Sequence, residues 1–265
     1  MTPALEVLHR NAIGPAKGPP LLFVHGGCFG AWCWNEHFLD YFAASGFTCF
    51  ALSFRAHGAS SSDRPLRLLS LEDYVDDVRR TAAALDQPPV LIGHSLGGTV
   101  VQRAATRLQV PAQVLLASNP PSGSRSTALR TFRRHPLAAA RAAVTGQQLH
   151  LFGTTALTRR LFFTEDTPES IIDRTVGKLQ NESTVAVAQC FASQRLRPST
   201  PRIQTLVIGG ERDAMIRPEQ IQATAQFYGT CAHLIPEIGH CIMLDSQWEQ
   251  AAALTTKWLR GLDCG

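Results

Sequence analysis

The sequence predicts an α/β fold: a mostly parallel central sheet flanked by helices and interrupted by one all-helical insertion. Three observations carry that expectation. Short apolar runs bounded by Gly and Pro alternate with longer segments of helical spacing. The alternation stops after residue 118 and resumes after residue 201, and only helical patterns lie between. With 265 residues, 45% of them hydrophobic and 17% charged, the chain can bury one α/β core and still carry an insertion. That composition excludes disorder as the dominant state, and no internal repeat or low-complexity tract is visible.

Leu21–Val24, the first element, is an apolar run after Gly18-Pro19-Pro20 and reads as a buried strand. Ala31–Ser45 carries Trp34, Phe38, Tyr41 and Phe42 on one helical stripe, with Gly46 as its stop. Phe47–Ser53 is a second strand, and Arg55–Ser62 after it is a loop. Ser70 opens a helix with Asp73 three positions on, an approximate capping box, and Pro88-Pro89 closes it. Val90–Ile92 is a strand, Thr99–Leu108 a helix and Val114–Ala117 a strand. Such alternation argues for parallel strands joined by right-handed crossovers. The insertion is expected to hold four helices, near Thr127–Val144, Thr155–Phe163, Pro168–Leu179 and Ser183–Arg195. Strand Thr205–Ile208, helix Pro218–Tyr228, strand Ala232–Ile235 and helix Ser246–Leu259 complete the core. The expected division is therefore 1–118 for the first part of the core, 119–201 for the insertion and 202–265 for the rest.

The net charge is +4, and it is unevenly spread. Residues 120–200 hold 11 basic and 5 acidic side chains, so the insertion is basic and the remainder slightly acidic. A bias of this kind favours anionic partners or a membrane surface, although a solvated Arg-rich helical face explains it equally. No nucleic-acid motif is present, and no stretch reaches the ~18 apolar residues of a membrane span. The seven cysteines (Cys28, Cys33, Cys49, Cys190, Cys231, Cys241 and Cys264) are odd in number and irregular in spacing. They form neither a disulfide framework nor a zinc set, so no metal is expected and a reducing compartment is the default. Residues 1–14 lack the charged start and apolar run of a signal peptide, which points to a cytoplasmic protein. No dinucleotide-binding glycine pattern occurs, and no cofactor is implied.

The most specific chemical signal is Gly93-His94-Ser95-Leu96-Gly97, between a strand and a helix. A nucleophile on a very tight strand-to-helix turn needs glycines two before and two after it, where side chains would clash. A serine hydroxyl needs a base, and His240, in the loop after the last strand, is the candidate. Loops at the carboxyl ends of parallel strands gather over one edge of the sheet, and Ser95 is placed there too. Asp213, just past the strand ending in Gly209-Gly210, is the candidate to orient the imidazole, with Glu211 as the nearby rival. The order Ser95, Asp213, His240 matches the serine, acid, histidine order of one fold type. Two N–H donors should stabilise the oxyanion: that of Leu96, after the nucleophile, and that of Gly27, in the loop His25-Gly26-Gly27-Cys28.

Through these residues the whole chain resembles the α/β-hydrolase fold superfamily, in a serine-nucleophile, esterase-like form with a helical cap. Gly93–Gly97 is similar to the family's nucleophile elbow and His25-Gly26-Gly27 to its oxyanion loop. Gly209–Asp213 and Gly239-His240 resemble its acid and histidine turns. Arg55-Ala56-His57-Gly58-Ala59-Ser60 is similar to a common Arg-Gly-His-Gly-x-Ser loop, with Ala56 in place of the usual Gly, a departure expected to alter loop geometry and not chemistry. Gly26–Trp34 looks like the corresponding loop of plant methylesterases and hydroxynitrile lyases. The resemblance implies a lid over the site and a small-molecule ester substrate, with Cys28, Phe29, Trp32 and Leu96 near it from the core side. Leu151, Phe152, Leu161 and Phe162 are the candidates from the insertion.

The leading reading is a serine hydrolase that cleaves a carboxylic ester, thioester or lactone of a small to medium apolar substrate through an acyl-enzyme. A lyase of the hydroxynitrile type or a C–C hydrolase would keep the fold and change the reaction. A lyase usually has a cation near the leaving group, and Lys178 is the one lysine of the insertion. A ligand receptor that retains the triad is the reading from another class.

Overall fold

The structure is a computed structural model and describes residues 2–194, 196–197 and 203–262. The expected end of the last insertion helix at Arg195, the boundary at 201/202 and Cys264 lie outside those residues.

Among the described residues, seven strands form one sheet in the order β1-β3-β2-β4-β5-β6-β7. They are β1 (Val7–Arg10), β2 (Leu21–Val24), β3 (Cys49–Leu52), β4 (Val90–His94), β5 (Ala112–Leu116), β6 (Gln204–Gly210) and β7 (Ala232–Ile235). All neighbours are parallel except β1, which pairs antiparallel with β3, Val7 opposite Leu52. The central strands are apolar runs because both faces of the sheet are covered. Alternate residues divide between two cores: Leu21 and Phe23 pack on one side with Trp34 and Phe38, Leu22 and Val24 on the other with Tyr74 and Val100. β1 is not expected from the sequence, since VLHR is a half-exposed edge strand without a continuous apolar signal.

The helices of the sheet layers are α1 (Trp32–Asn35), α2 (Phe38–Ala44), α3 (Leu71–Ala83), α4 (Leu96–Ala105), α11 (Pro218–Tyr228) and α12 (Trp248–Leu259). The single helix expected over 31–45 is thus two. His37 leaves the helical region at φ −146° and lays its ring flat on Trp248, 4.5 Å between centroids. The capping box at Ser70 and Asp73 is present on α3.

Six helices lie among the described residues between β5 and β6: α5 (Arg125–Arg134), α6 (Pro136–Thr145), α7 (Leu149–Phe152), α8 (Thr155–Phe162), α9 (Glu169–Lys178) and α10 (Thr184–Phe191). The run expected over 127–144 breaks because Pro136 disfavours the α region at His135, which sits at φ −135° and ψ 58°. The short α7 carries no sequence signal. Among the described residues, no helix is long and apolar enough to cross a membrane.

Strand register fixes where the connecting loops emerge. Val24 pairs with Gly93, His94 with Leu116, and Leu116 with Ile208. The loops after β2, β4, β6 and β7 therefore leave the same edge of the sheet.

Candidate active site

Ser95 sits between β4 and α4 at φ 51° and ψ −117°, a backbone conformation rare for any residue with a side chain. The flanking glycines permit it. A Cβ on Gly97 would lie 2.2 Å from the His25 carbonyl oxygen, and one on Gly93 2.6 Å from that of Gly97. No side chain fits at either place. The turn directs the Ser95 hydroxyl toward the loop after β7, where His240 Nε2 lies 3.0 Å from its Oγ.

His240 Nδ1 is 2.8 Å from Asp213 Oδ2. A carboxylate there calls for the proton on Nδ1, which leaves Nε2 free to accept from the serine hydroxyl. Asp213 is itself fixed: its Oδ1 accepts from the amides of Met215 (2.7 Å) and Ile216 (2.8 Å). Both Asp213 and His240 are buried, whereas the rival Glu211 is exposed. His94 adds a second tie between the two loops, its Nε2 donating to the His240 carbonyl at 2.9 Å.

Leu96 opens α4, and its amide and that of Gly27 have no acceptor among the described residues. Both residues line a cavity of about 360 Å³ that also reaches Ser95 and His240. Cys28 and Phe29 also line this cavity, and so do Leu151, Phe152 and Phe162. Leu161 is buried in the core instead.

Trp32 is a correction. It does not line this cavity. Its ring stacks with Phe29, 5.4 Å between centroids, and Lys178 Nζ lies over it at 5.1 Å. It borders a separate small cleft with Glu36 and His37. The reason is packing: Trp32 begins α1, and its ring is held by Phe29 and Lys178 beside Glu36 and His37. Lys178 is likewise remote, paired with Glu36 at 2.7 Å. No cation from it reaches Ser95.

One residue escapes the sequence reading. Glu182, between α9 and α10, is buried and lines the cavity beside Gly27. Its Oε1 accepts from the Tyr74 hydroxyl and the Ser183 amide, each at 2.6 Å. Its Oε2 accepts from the Cys28 amide at 3.3 Å and lies 3.2 Å from His57 Nε2. The His57 contact is ionic in character, since its geometry is not that of an aligned hydrogen bond. Burial works against the Glu182 charge, but His57, Tyr74 and the Ser183 amide outweigh it and hold the carboxyl down at about 2. Burial likewise opposes charge on His57, and Glu182 overrides it and raises that pKa. The geometry agrees: His57 Nδ1 faces the Arg55 carbonyl at 3.1 Å and Nε2 faces a carboxylate, so only the imidazolium satisfies both. His25 differs, because its Nε2 accepts from the Phe54 amide, and burial pushes it down to about 3.

The site thus joins the helical segment to the core through an ion pair under the loop that carries Gly27. Cys28, at φ 70°, is held in left-handed backbone next to that anchor. Half of the device is visible in the sequence as His57 in the Arg55–Ser60 loop. Glu182 is not, because an acid before a helix start reads as an ordinary cap.

Known proteins share this architecture. A family model described as "Alpha/beta hydrolase family" matches residues 21–254. A non-heme chloroperoxidase of Streptomyces lividans is 36% identical over 112 residues, 41% of this chain and 40% of that protein. A probable esterase, PIR7A, of Oryza sativa subsp. indica is 38% identical over 114 residues, 41% of this chain and 42% of that protein. The matched parts span about two fifths of these relatives' lengths. Among solved structures, a thermophilic esterase from Thermogutta terrifontis superposes with a TM-score of 0.73 at 22% identity, covering 98% of this chain and 93% of that one. At that identity the likeness is one of fold.

Proposed function

Because the chain belongs to the alpha/beta hydrolase family, we propose that it is a serine hydrolase acting on a neutral carboxylic ester of small to medium apolar character. The observation that carries the proposal is the relay Ser95 Oγ, His240 Nε2, His240 Nδ1, Asp213 Oδ2, with steps of 3.0 and 2.8 Å, at the floor of an apolar cavity. Ser95 attacks the ester carbonyl carbon as His240 takes its proton. The oxygen that becomes negative is received by the amides of Leu96 and Gly27. The intermediate collapses, the C–O bond breaks and His240 returns the proton to the departing alcohol. Water, deprotonated by His240, then releases the acid from Ser95. Asp213 stays ionised and fixes the tautomer.

The cavity supports the substrate class. At about 360 Å³ it lies near the small end of ligand pockets, roughly 300–1,000 Å³. Ala139, Ala142, Val187 and Ala188 line it from α6 and α10, and among the described residues no Lys or Arg does. The helical segment from α5 to α10 acts in this reading as the lid that shapes specificity. The position of Lys178, paired with Glu36 outside the cavity, weighs against a lyase.

Initial rates on p-nitrophenyl esters of increasing acyl length test the proposal, with Ser95→Ala alongside. Turnover of short to medium acyl chains that vanishes in Ser95→Ala is expected. Folded wild-type protein without turnover on any ester, or turnover that survives Ser95→Ala, overturns it.

A further inference from the structure

The outer surface of α5 and α6 carries chemistry that ester cleavage does not use. Among the described residues, seven large apolar side chains are exposed, and four of them lie here: Leu129 (50% exposed), Phe132 (52%), Leu137 (87%) and Val144 (87%). Leu137, Arg141 and Val144 succeed one another on one helical stripe, as do Leu129 and Arg133 on the preceding helix. Scattered exposed apolar residues need no explanation, but a cluster on two consecutive helices does.

The charges around this cluster are of one sign. No Asp or Glu occurs between residues 87 and 164. Arg125, Arg133, Arg134 and Arg141 are exposed, while Arg130 turns inward to the Met215 carbonyl. Several arginines elsewhere are neutralised in place, as Arg10 by Asp40, Arg55 by Asp77 and Arg103 and Arg107 by Glu72; Arg125, Arg133, Arg134 and Arg141 differ in lying together with no acidic residue near them in the sequence. Among the described residues, no carboxylate forms a salt bridge with the four exposed arginines of α5 and α6. Unpaired arginines beside protruding aliphatic and aromatic side chains match an anionic lipid surface: headgroups meet the guanidinium groups and the acyl boundary receives Leu137, Val144 and Phe132.

The face also adjoins the cavity. Phe132 and Ala143 are exposed and at the same time line it, so they form its rim. We propose that α5 and α6 dock the protein on a membrane surface containing anionic lipid, with the rim of the cavity at the docked side. The delivery of a bilayer-dissolved ester to Ser95 is the part that rests on the hydrolase reading. The docking itself does not.

The test therefore uses Ser95→Ala protein and co-sedimentation with vesicles of phosphatidylcholine alone or mixed with phosphatidylglycerol. Each basic residue near an anionic surface strengthens binding by roughly five-fold. With four exposed arginines, binding to the mixed vesicles on the order of several hundredfold tighter than to phosphatidylcholine is expected, and it should collapse at 1 M salt as screening shortens to about 3 Å. The pair Leu137→Asp and Val144→Asp, and separately Arg133→Glu with Arg134→Glu, should abolish it. In otherwise wild-type protein these variants should leave hydrolysis of a water-soluble acetyl ester unchanged, since none of the four residues lines the cavity. No preference for the anionic vesicles overturns the proposal. So does concentration-dependent self-association that Leu137→Asp removes, because a second copy would then cover this face. Failure of every ester assay would refute the hydrolase reading and leave the vesicle result intact.

Discussion

Glu182→Gln is the most informative single substitution in this molecule. Three hydrogen-bond donors and one cation converge on the carboxylate: the Tyr74 hydroxyl, the Ser183 and Cys28 amides and, as an ion pair, the His57 imidazolium. A glutamine oxygen in place of Oε1 keeps Tyr74 and Ser183. Its NH2 group then faces the Cys28 amide, donor against donor. A buried N–H left without an acceptor costs about 1–3 kcal/mol. His57 relieves its own side by losing a proton, so the full cost of breaking a buried pair, about 3–5 kcal/mol, is not reached. Cys28 at φ 70° is then free to leave left-handed backbone, and Gly27 moves with it. If half of that energy appears as misalignment of the Gly27 amide, kcat falls by about two- to ten-fold, at ~1.4 kcal/mol per decade. KM for a neutral ester should change less than kcat, because the amide acts on charge that develops in the transition state.

The same substitution has a pH signature. The Glu182 pKa is lowered from 4.5 to about 2, so its contribution to stability is present above pH 4.5 and is lost as pH falls toward 2. The His57 pKa is raised from 6.5, so its contribution is present below pH 6.5 and is lost as pH rises through the higher folded value. The stability difference between wild type and Glu182→Gln should therefore be largest between pH 4.5 and 6.5 and shrink on both sides. Urea unfolding at a series of pH values and steady-state kinetics on one p-nitrophenyl ester measure both effects. An unchanged kcat, with a stability difference flat across pH, would refute the idea that this pair aligns the loop.

The site and its surroundings set two further outcomes. Asp213→Asn should lower kcat by about 10⁴, by analogy with the loss of the correct imidazole tautomer, whereas Glu211→Gln at its exposed position should stay within about two-fold; kinetics that reverse the two would transfer the orienting role to Glu211. Ala56 stands at φ 62°, where a non-glycine residue pays about 1–2 kcal/mol. Ala56→Gly should raise the unfolding free energy by about 0.5–1 kcal/mol after the added backbone entropy of glycine, and a lower urea midpoint would contradict it.

Much of this molecule is legible in its sequence because the determinants are local. The runs Leu21–Val24 and Ala232–Ile235 are strands as read, and Pro218–Tyr228 is the expected helix, with proline at its first position. Ser95, Asp213 and His240 can be brought together on paper because parallel strands send their outgoing loops to one edge. The features that cannot be read are set by distant contacts. His37 breaks a helix to reach Trp248, which lies 211 residues further along. Trp32 borders a different cleft because Phe29 and Lys178 hold its ring there. Glu182 matters through His57 and Cys28, which belong to a different layer, and no local pattern announces that pairing. Pro136 is readable, and its effect on His135 comes from local sterics alone.

The order of strands also bears on how the protein is made. β5 is buried along its whole length, yet its partner β6 begins 88 residues after β5 ends, on the far side of the helical segment. At roughly 5–20 residues per second, a ribosome needs on the order of 4–18 s to supply it. For that interval the nascent chain carries a central strand with one bare hydrogen-bonding edge, which is a template for unwanted pairing. In the proposed mechanism it also carries Ser95 without its base, since His240 emerges later still. On that reading the growing polypeptide is chemically silent and physically vulnerable for the same reason, and chaperone capture during synthesis would act in the stretch between β5 and β6.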